Sequence, residues 1–318
     1  FHKDHPSTIL IMQFARQTGM QGACQFEWAE FKGLDGDLTM FLARPAISAR
    51  QFLPVIRQFC ACVAALIMIS PMAAASGFAP HTAHYAMQLL SARSSSSIET
   101  VSGDMLVRWE GDCAGWTMSN RTVFDVGYTG GDTVRVTMDA TTWESQAGDR
   151  YTFLVRTSFN DKETDRIEGT ARLDADARVA EFVSPSEKQV MLPPGTVFPT
   201  RHTQQVLSVA GEKAQIVRAT VFDGFTEGGA QFVNAVIGRK IAAEPPEQVA
   251  FPELRSQPSW NVNLAFFPIE NQDAEPESEI SVKIYATGIA GRMDMDFGDF
   301  KVRGDLKRLK TERSPVCK

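Results

Sequence analysis

Histidine, cysteine and long apolar runs are all scarce in this chain of 318 residues. There are five histidines, and only His81, His84 and His202 lie beyond residue 75. No H-E-x-x-H, G-x-S-x-G, S-x-x-K or phosphate-loop pattern occurs. Zinc-protease, serine-hydrolase and nucleotide-binding chemistry therefore have no local signature. An enzyme would have to assemble its site from scattered residues, and the reading adopted is a non-catalytic protein with no cofactor and no metal. Positive charge is not in excess either: 32 Lys and Arg face 38 Asp and Glu, for a formal net charge of −6. Nucleic acid is excluded as a partner on that balance, because phosphate binding needs clustered cations. The hydrophobic share of 43% is ordinary for a globular chain and excludes wholesale disorder.

What is present begins with a leader pattern. Residues 1–39 show no sustained periodicity and read as an upstream extension. From Met40 onward, Arg44, Arg50 and Arg57 form a positive segment without acidic residues. Phe59 to Ile69 follows as an apolar run of 11 residues, broken by Ser70-Pro71. Ala73-Ala74-Ala75 then supplies the small residues a signal peptidase reads. This order predicts a signal peptide over 40–75 with cleavage after Ala75, and hence a soluble periplasmic protein. The run is too short for an uncleaved anchor, which needs about 20 apolar residues, so no stable membrane span is expected after cleavage. Of the five cysteines only Cys113 and Cys317 lie beyond the leader. Two cysteines in an exported chain are a candidate disulfide, with two buried free thiols as the alternative.

Residues 76–318 read as one all-β domain. Met105, Val107 and Trp109 alternate with Asp104, Arg108 and Glu110. Tyr151, Phe153 and Val155 alternate with Thr152 and Arg156, and Ile280, Val282 and Ile284 with Ser281 and Lys283. Period two is the mark of strands half buried and half wet. Turn clusters at Gly130-Gly131-Asp132, Ala147-Gly148-Asp149 and Glu227-Gly228-Gly229 separate them, giving an antiparallel meander. Thr200 to Ala210 lacks the alternation and predicts one short helix, capped by Thr200 or Thr203 and closed at Gly211. Leu192-Pro193-Pro194-Gly195 precedes it and excludes a continuous helix or a central strand there. Ser94–Ser97, Ala242–Gln248 and Glu270–Glu279 are candidate linkers, none long enough to force a domain boundary.

Each suggestive side-chain cluster has a plainer explanation. His81 and His84 lack a third zinc ligand nearby and point to opposite faces of a strand. Asp294, Asp296 and Asp299 lack the order of a calcium loop; they read as the wet face of a strand ending in a turn at Gly298. The aromatic residues are more informative. Phe232, Trp260, Phe266-Phe267 and Trp143 lie where both strand faces carry apolar groups. Such a sheet is covered on both faces or lines a cavity. The candidates for that pocket, or for the core, are Trp143, Trp260, Phe267, Phe232 and His202.

Several segments taken together resemble the EipB-like family of periplasmic cell-envelope integrity proteins. They are APHTAHYAMQL from Ala79, Thr141-Thr142-Trp143-Glu144, Leu192-Pro193-Pro194-Gly195 with Phe198-Pro199-Thr200-Arg201-His202, Phe222-Asp223-Gly224, and the Cys113/Cys317 pair. The resemblance implies a many-stranded antiparallel curled sheet, a β-spiral or open half-barrel, with the helix at its centre. It also implies a Cys113–Cys317 disulfide and a role in envelope integrity without assigned enzymatic activity. The function expected is support of the envelope by binding another periplasmic or envelope protein. The alternative is a carrier or sensor of a lipid or other apolar ligand held in a concave sheet.

Overall fold

The computed structural model describes residues 78–174, 177–245, 249–269 and 275–313. The expected extension at 1–39, the leader at 40–75, and Cys317 lie outside the described residues. Fifteen strands follow one another: β1 (His81–Ala92), β2 (Ile98–Gly111), β3 (Gly115–Tyr128), β4 (Thr133–Ser145), β5 (Arg150–Phe159), β6 (Lys162–Leu173), β7 (Arg178–Ser184), β8 (Lys188–Met191), β9 (Thr196–Val197), β10 (Gln215–Val221), β11 (Gln231–Ile237), β12 (Ser259–Pro268), β13 (Ser278–Tyr285), β14 (Ala290–Asp296) and β15 (Phe300–Thr311). One helix, α1 (Pro199–Val209), stands between β9 and β10.

All fifteen join in one sheet, in the order β8-β7-β6-β5-β4-β3-β2-β1-β15-β14-β13-β12-β11-β10-β9. Every pairing is antiparallel except the short parallel contact of β9 with β10. The meander thus runs outward from β1 to β8, restarts at the far edge with β9, and returns until β15 pairs with β1. The two edges, β8 and β9, are consecutive in sequence and separated only by Leu192–Gly195. That short link requires the sheet to curl until its edges approach one another, as the right-handed twist of adjacent strands permits. Side chains bridge the seam: Lys188 of β8 pairs with Glu227 at 2.8 Å, ahead of β11. The expected β-spiral with one helix is the observed architecture.

The interior is filled in three apolar clusters. One groups Tyr85, Met87, Met105, Phe124 and Val302. A second stacks Tyr151, Phe153, Phe198 and Phe222, with the Tyr151 and Phe198 rings 4.8 Å apart and nearly parallel. The third packs Val206 and Leu207 of α1 against Ile237, Trp260 and Val262. Gly224 shows how tight this is: its φ is +72°, and a Cβ there would run into the Phe153 ring.

The helix differs from expectation at both ends. Its N-cap is Phe198, with no side-chain cap of its own, and its C-cap is Ala210 in an extended conformation. Thr203 does not cap the start; its hydroxyl donates back to the Pro199 carbonyl at 2.9 Å. Gly211 is not a left-handed terminator; its carbonyl accepts the Trp260 indole N–H at 3.0 Å. Cys113, at the β2–β3 turn, is disulfide-bonded.

Candidate functional site

Two places concentrate unusual chemistry, one inside the sheet and one outside. Inside, Glu144 at the end of β4 is 3% exposed. Its carboxylate accepts the backbone N–H groups of Thr200 at 2.7 Å and Arg201 at 2.9 Å. It satisfies the free donors at the start of α1 and sets a negative charge at the positive end of the helix. Burial pushes its carboxyl above the usual carboxylate range against the pull of those two bonds. Nearby in the same cluster, the Tyr151 hydroxyl donates to the Asp223 carbonyl at 2.9 Å. The Asp223 carboxylate accepts the Phe225 N–H at 2.9 Å and is pushed upward by burial. His202 of α1 is buried, its Nε2 meets no partner, and burial lowers its pKa to about 4. The imidazole is neutral at pH 7. Glu144, Tyr151 and His202 are buried and Asp223 is half-buried, and their chemistry is that of a helix anchor.

Outside, β4 to β7 form an open groove of about 460 Å³. Alternation decides which residues face it. Tyr151, Phe153 and Val155 point into the core, so Thr152 and Leu154 point out. Registers align Trp143 with Thr152, Thr170 and Glu181, and Thr141 with Leu154 and Glu168. Trp143, Leu154 and Val183 give the groove its apolar surface, between threonines and two glutamates. Val183 is 59% exposed. Arg166 neutralises Glu168 at 2.7 Å, and Arg172 stands 3.9 Å from Glu181.

The groove ends on β7, one strand short of the edge of the sheet. Leu192 N–H bonds the Arg178 carbonyl, so Gln189 and Met191, of the opposite parity, turn their backbone groups away from β7. β8 pairs with β7 alone, and Met191 is 74% exposed. An edge with exposed apolar side chains is a ready template for an added strand.

The five aromatic and histidine candidates do not converge on one pocket. Trp143 lines the outer groove. Trp260 is core, 6% exposed, and His202 is buried on α1. Phe267 lies seven residues after Trp260 on the unshifted strand β12 and leaves it on the other face. There it sits directly opposite Phe232 of β11, with ring centroids 6.5 Å apart. Sequence reasoning misses Leu154, Val183 and Glu144 as site residues. The first two belong to ordinary alternating strands, and the third acts on backbone donors 56 residues away.

The histidine and aspartate clusters have structural partners. His81 is buried with its Nδ1 2.7 Å from the Ala79 carbonyl, while His84 faces outward and bonds Asp104 at 2.7 Å. Asp294 pairs with Arg303 and Asp296 with Lys301. Among the described residues no group of three His, Cys, Asp or Glu is placed to hold a metal ion, and no helix is long and apolar enough to cross a membrane.

Comparison with known proteins gives a consistent result. The family model described as EipB-like matches residues 72–312. The chain is 30% identical over 241 residues to the cell envelope integrity protein EipB of Brucella abortus (strain 2308), covering 74% of this chain and 85% of that protein. It is also similar to the crystal structure of a β-barrel-like protein of a domain of unknown function from Brucella abortus. That match has a TM-score of 0.69 and 29% identity, over 74% of this chain and 99% of the other.

Proposed function

The chain belongs to the EipB-like family, and from that premise we propose that it is a non-catalytic periplasmic protein supporting cell-envelope integrity by docking another envelope protein on the outer groove of β4–β7. One observation carries this reading: the groove of Trp143, Leu154 and Val183 opens outward and ends on β7, next to the edge strand β8. A partner strand added at that edge gains main-chain hydrogen bonds, while the groove supplies side-chain pockets. The leader pattern supports the location, and the name of the Brucella relative supports the role.

The second reading, carriage of a lipid or other apolar ligand, belongs to the same groove. At the centre, Phe153, Phe198 and Phe222 are 0% exposed and packed on one another, whereas the outer groove offers open apolar surface to a ligand. Leu154→Asp and Val183→Asp, each on a solvent-facing strand position, test the proposal. Both variants fold, and both lose a crosslinked envelope partner that the parent chain retains. Retention of the same partner by both variants contradicts groove docking. Loss of a co-purifying lipid instead of a protein turns the assignment to carriage.

A further inference from the structure

Over much of the outer face, charges cancel pairwise. On β13 to β15, Arg292 pairs with Asp305, Arg303 with Asp294, Lys301 with Asp296 and Lys283 with Glu244. One band differs. In register across β15, β1, β2, β3, β4, β5 and β6 lie Arg308, His84, Leu106, Arg121, Asp139, Arg156 and Arg166. The adjacent row starts with Lys310 and Arg108 and ends at Leu154 and Glu168 in the groove. These two rows hold six Arg and Lys against two carboxylates, Asp139 and Glu168, on a chain whose net charge is −6. Arg121 is neutralised by Asp139 and Arg166 by Glu168, and Arg108 has Glu110 beyond the band. Arg156, Arg308 and Lys310 have no ion-pair partner among the described residues, and all three are exposed. Leu106, 45% exposed, sits between the cations.

We propose that this band is the docking track for an acidic, extended segment of the partner protein, leading into the groove at Leu154 and Trp143. The inference rests on the groove being a docking site and adds the chemistry of what docks. Charge complementarity selects an anionic occupant. The direction of the band selects a peptide over a membrane. Six strand spacings of about 4.8 Å give it a length of roughly 29 Å. It runs across the strands, in the direction in which the sheet curls to bring β8 back toward β9. A flat bilayer touches only part of such a band, whereas an extended chain follows all of it.

The test uses the whole chain and a fluorescent peptide alternating Glu and Leu. Its length is about ten residues, matched to the band at roughly 3.3 Å per residue. Anisotropy at low salt shows binding of this peptide and none of its Lys–Leu counterpart. The double variant Arg156→Glu, Arg308→Glu, whose side chains support nothing else in the fold, weakens binding about tenfold or more with an unchanged melting temperature. Absent binding, or binding unaffected by the double variant, overturns the proposal. So does uptake by phosphatidylglycerol vesicles that depends on the same residues and exceeds peptide binding. Partner capture lost on Leu154→Asp but kept in the arginine double variant overturns the acidic track alone; capture kept in both overturns groove docking as well.

Discussion

At the scale of single residues, the stability of this protein in acid turns on two buried groups with opposite signs. His202 is neutral in the fold, and burial holds its pKa at about 4 against an ordinary 6.5. The unfolded chain takes up the proton first as pH falls, so the stability this residue contributes is complete above 6.5 and lost as pH falls through about 4. That loss is worth about 3 kcal/mol at 1.36 kcal/mol per pKa unit. His81, also lowered by burial, acts in the same sense. Glu144 acts in the other. Its raised pKa makes its contribution complete below the ordinary carboxylate range and lost as pH rises through the raised value. In His202→Leu, urea unfolding at pH 7 and pH 4 is expected to differ by about 3 kcal/mol less than in the parent chain; an unchanged difference would refute the assignment. Glu144→Ala leaves two helix donors buried and unpaired and is expected to cost about 2–3 kcal/mol at pH 7. Glu144→Gln, which keeps one acceptor, is expected to cost less than half of that. Equal unfolding midpoints for Glu144→Ala and the parent would show that the cap contributes nothing.

At the scale of elements, the turns divide into those that need space and those that need only a backbone angle. Gly131 has φ +92° and open space for 4 Å around the point where a Cβ would stand, while Gly224 has φ +72° and the Phe153 ring in the way. Ala at Gly131 is therefore expected to cost about 1 kcal/mol, from strain alone. Ala at Gly224 adds overpacking and is expected to cost about 3 kcal/mol. Equal costs in thermal melts would show that the Phe222-Asp223-Gly224 turn is not packed as described. The same contrast marks what the sequence reveals. Alternation in β2, β5 and β13 is local, and those strands are legible from single segments such as Met105-Leu106-Val107-Arg108-Trp109. The helix body is legible too, within one residue at each end. Its caps are not, because the groups that satisfy Thr200, Arg201 and Gly211 come from Glu144 and Trp260 on distant strands. The outer groove is hidden for a related reason. Leu154 and Val183 look like ordinary alternation until registers bring them beside Trp143, and Trp260 and Phe267 look alike until parity sends them to opposite faces.

At the scale of the whole molecule, the sheet is held where its two halves meet. β1 and β15 pair along their length, and Glu312 N–H still reaches the Pro80 carbonyl at 2.8 Å. The chain thus leaves β15 two strand spacings, about 10 Å, from Trp109, four residues before Cys113. Cys317 is five steps along the chain from Glu312, a reach of roughly 17 Å, which supports the proposed Cys113–Cys317 bridge. Closing so long a loop is worth about 5 kcal/mol in the chain-entropy model. Alkylation of the folded, unreduced protein is expected to modify neither cysteine, and reduction to lower the melting temperature; labelling of both before reduction would exclude the bridge. The open groove on β4–β7 and the unpaired cations Arg156, Arg308 and Lys310 make the outer face of β1–β7 the working surface we propose. The most direct measurement of that claim is in-cell photocrosslinking from two solvent-facing positions on the same face, Thr170 in the groove and Ser281 on β13. A discrete protein adduct from Thr170, with none from Ser281, is the expected result. Identical adducts from both positions, or an adduct of lipid mass alone at Thr170, would contradict it.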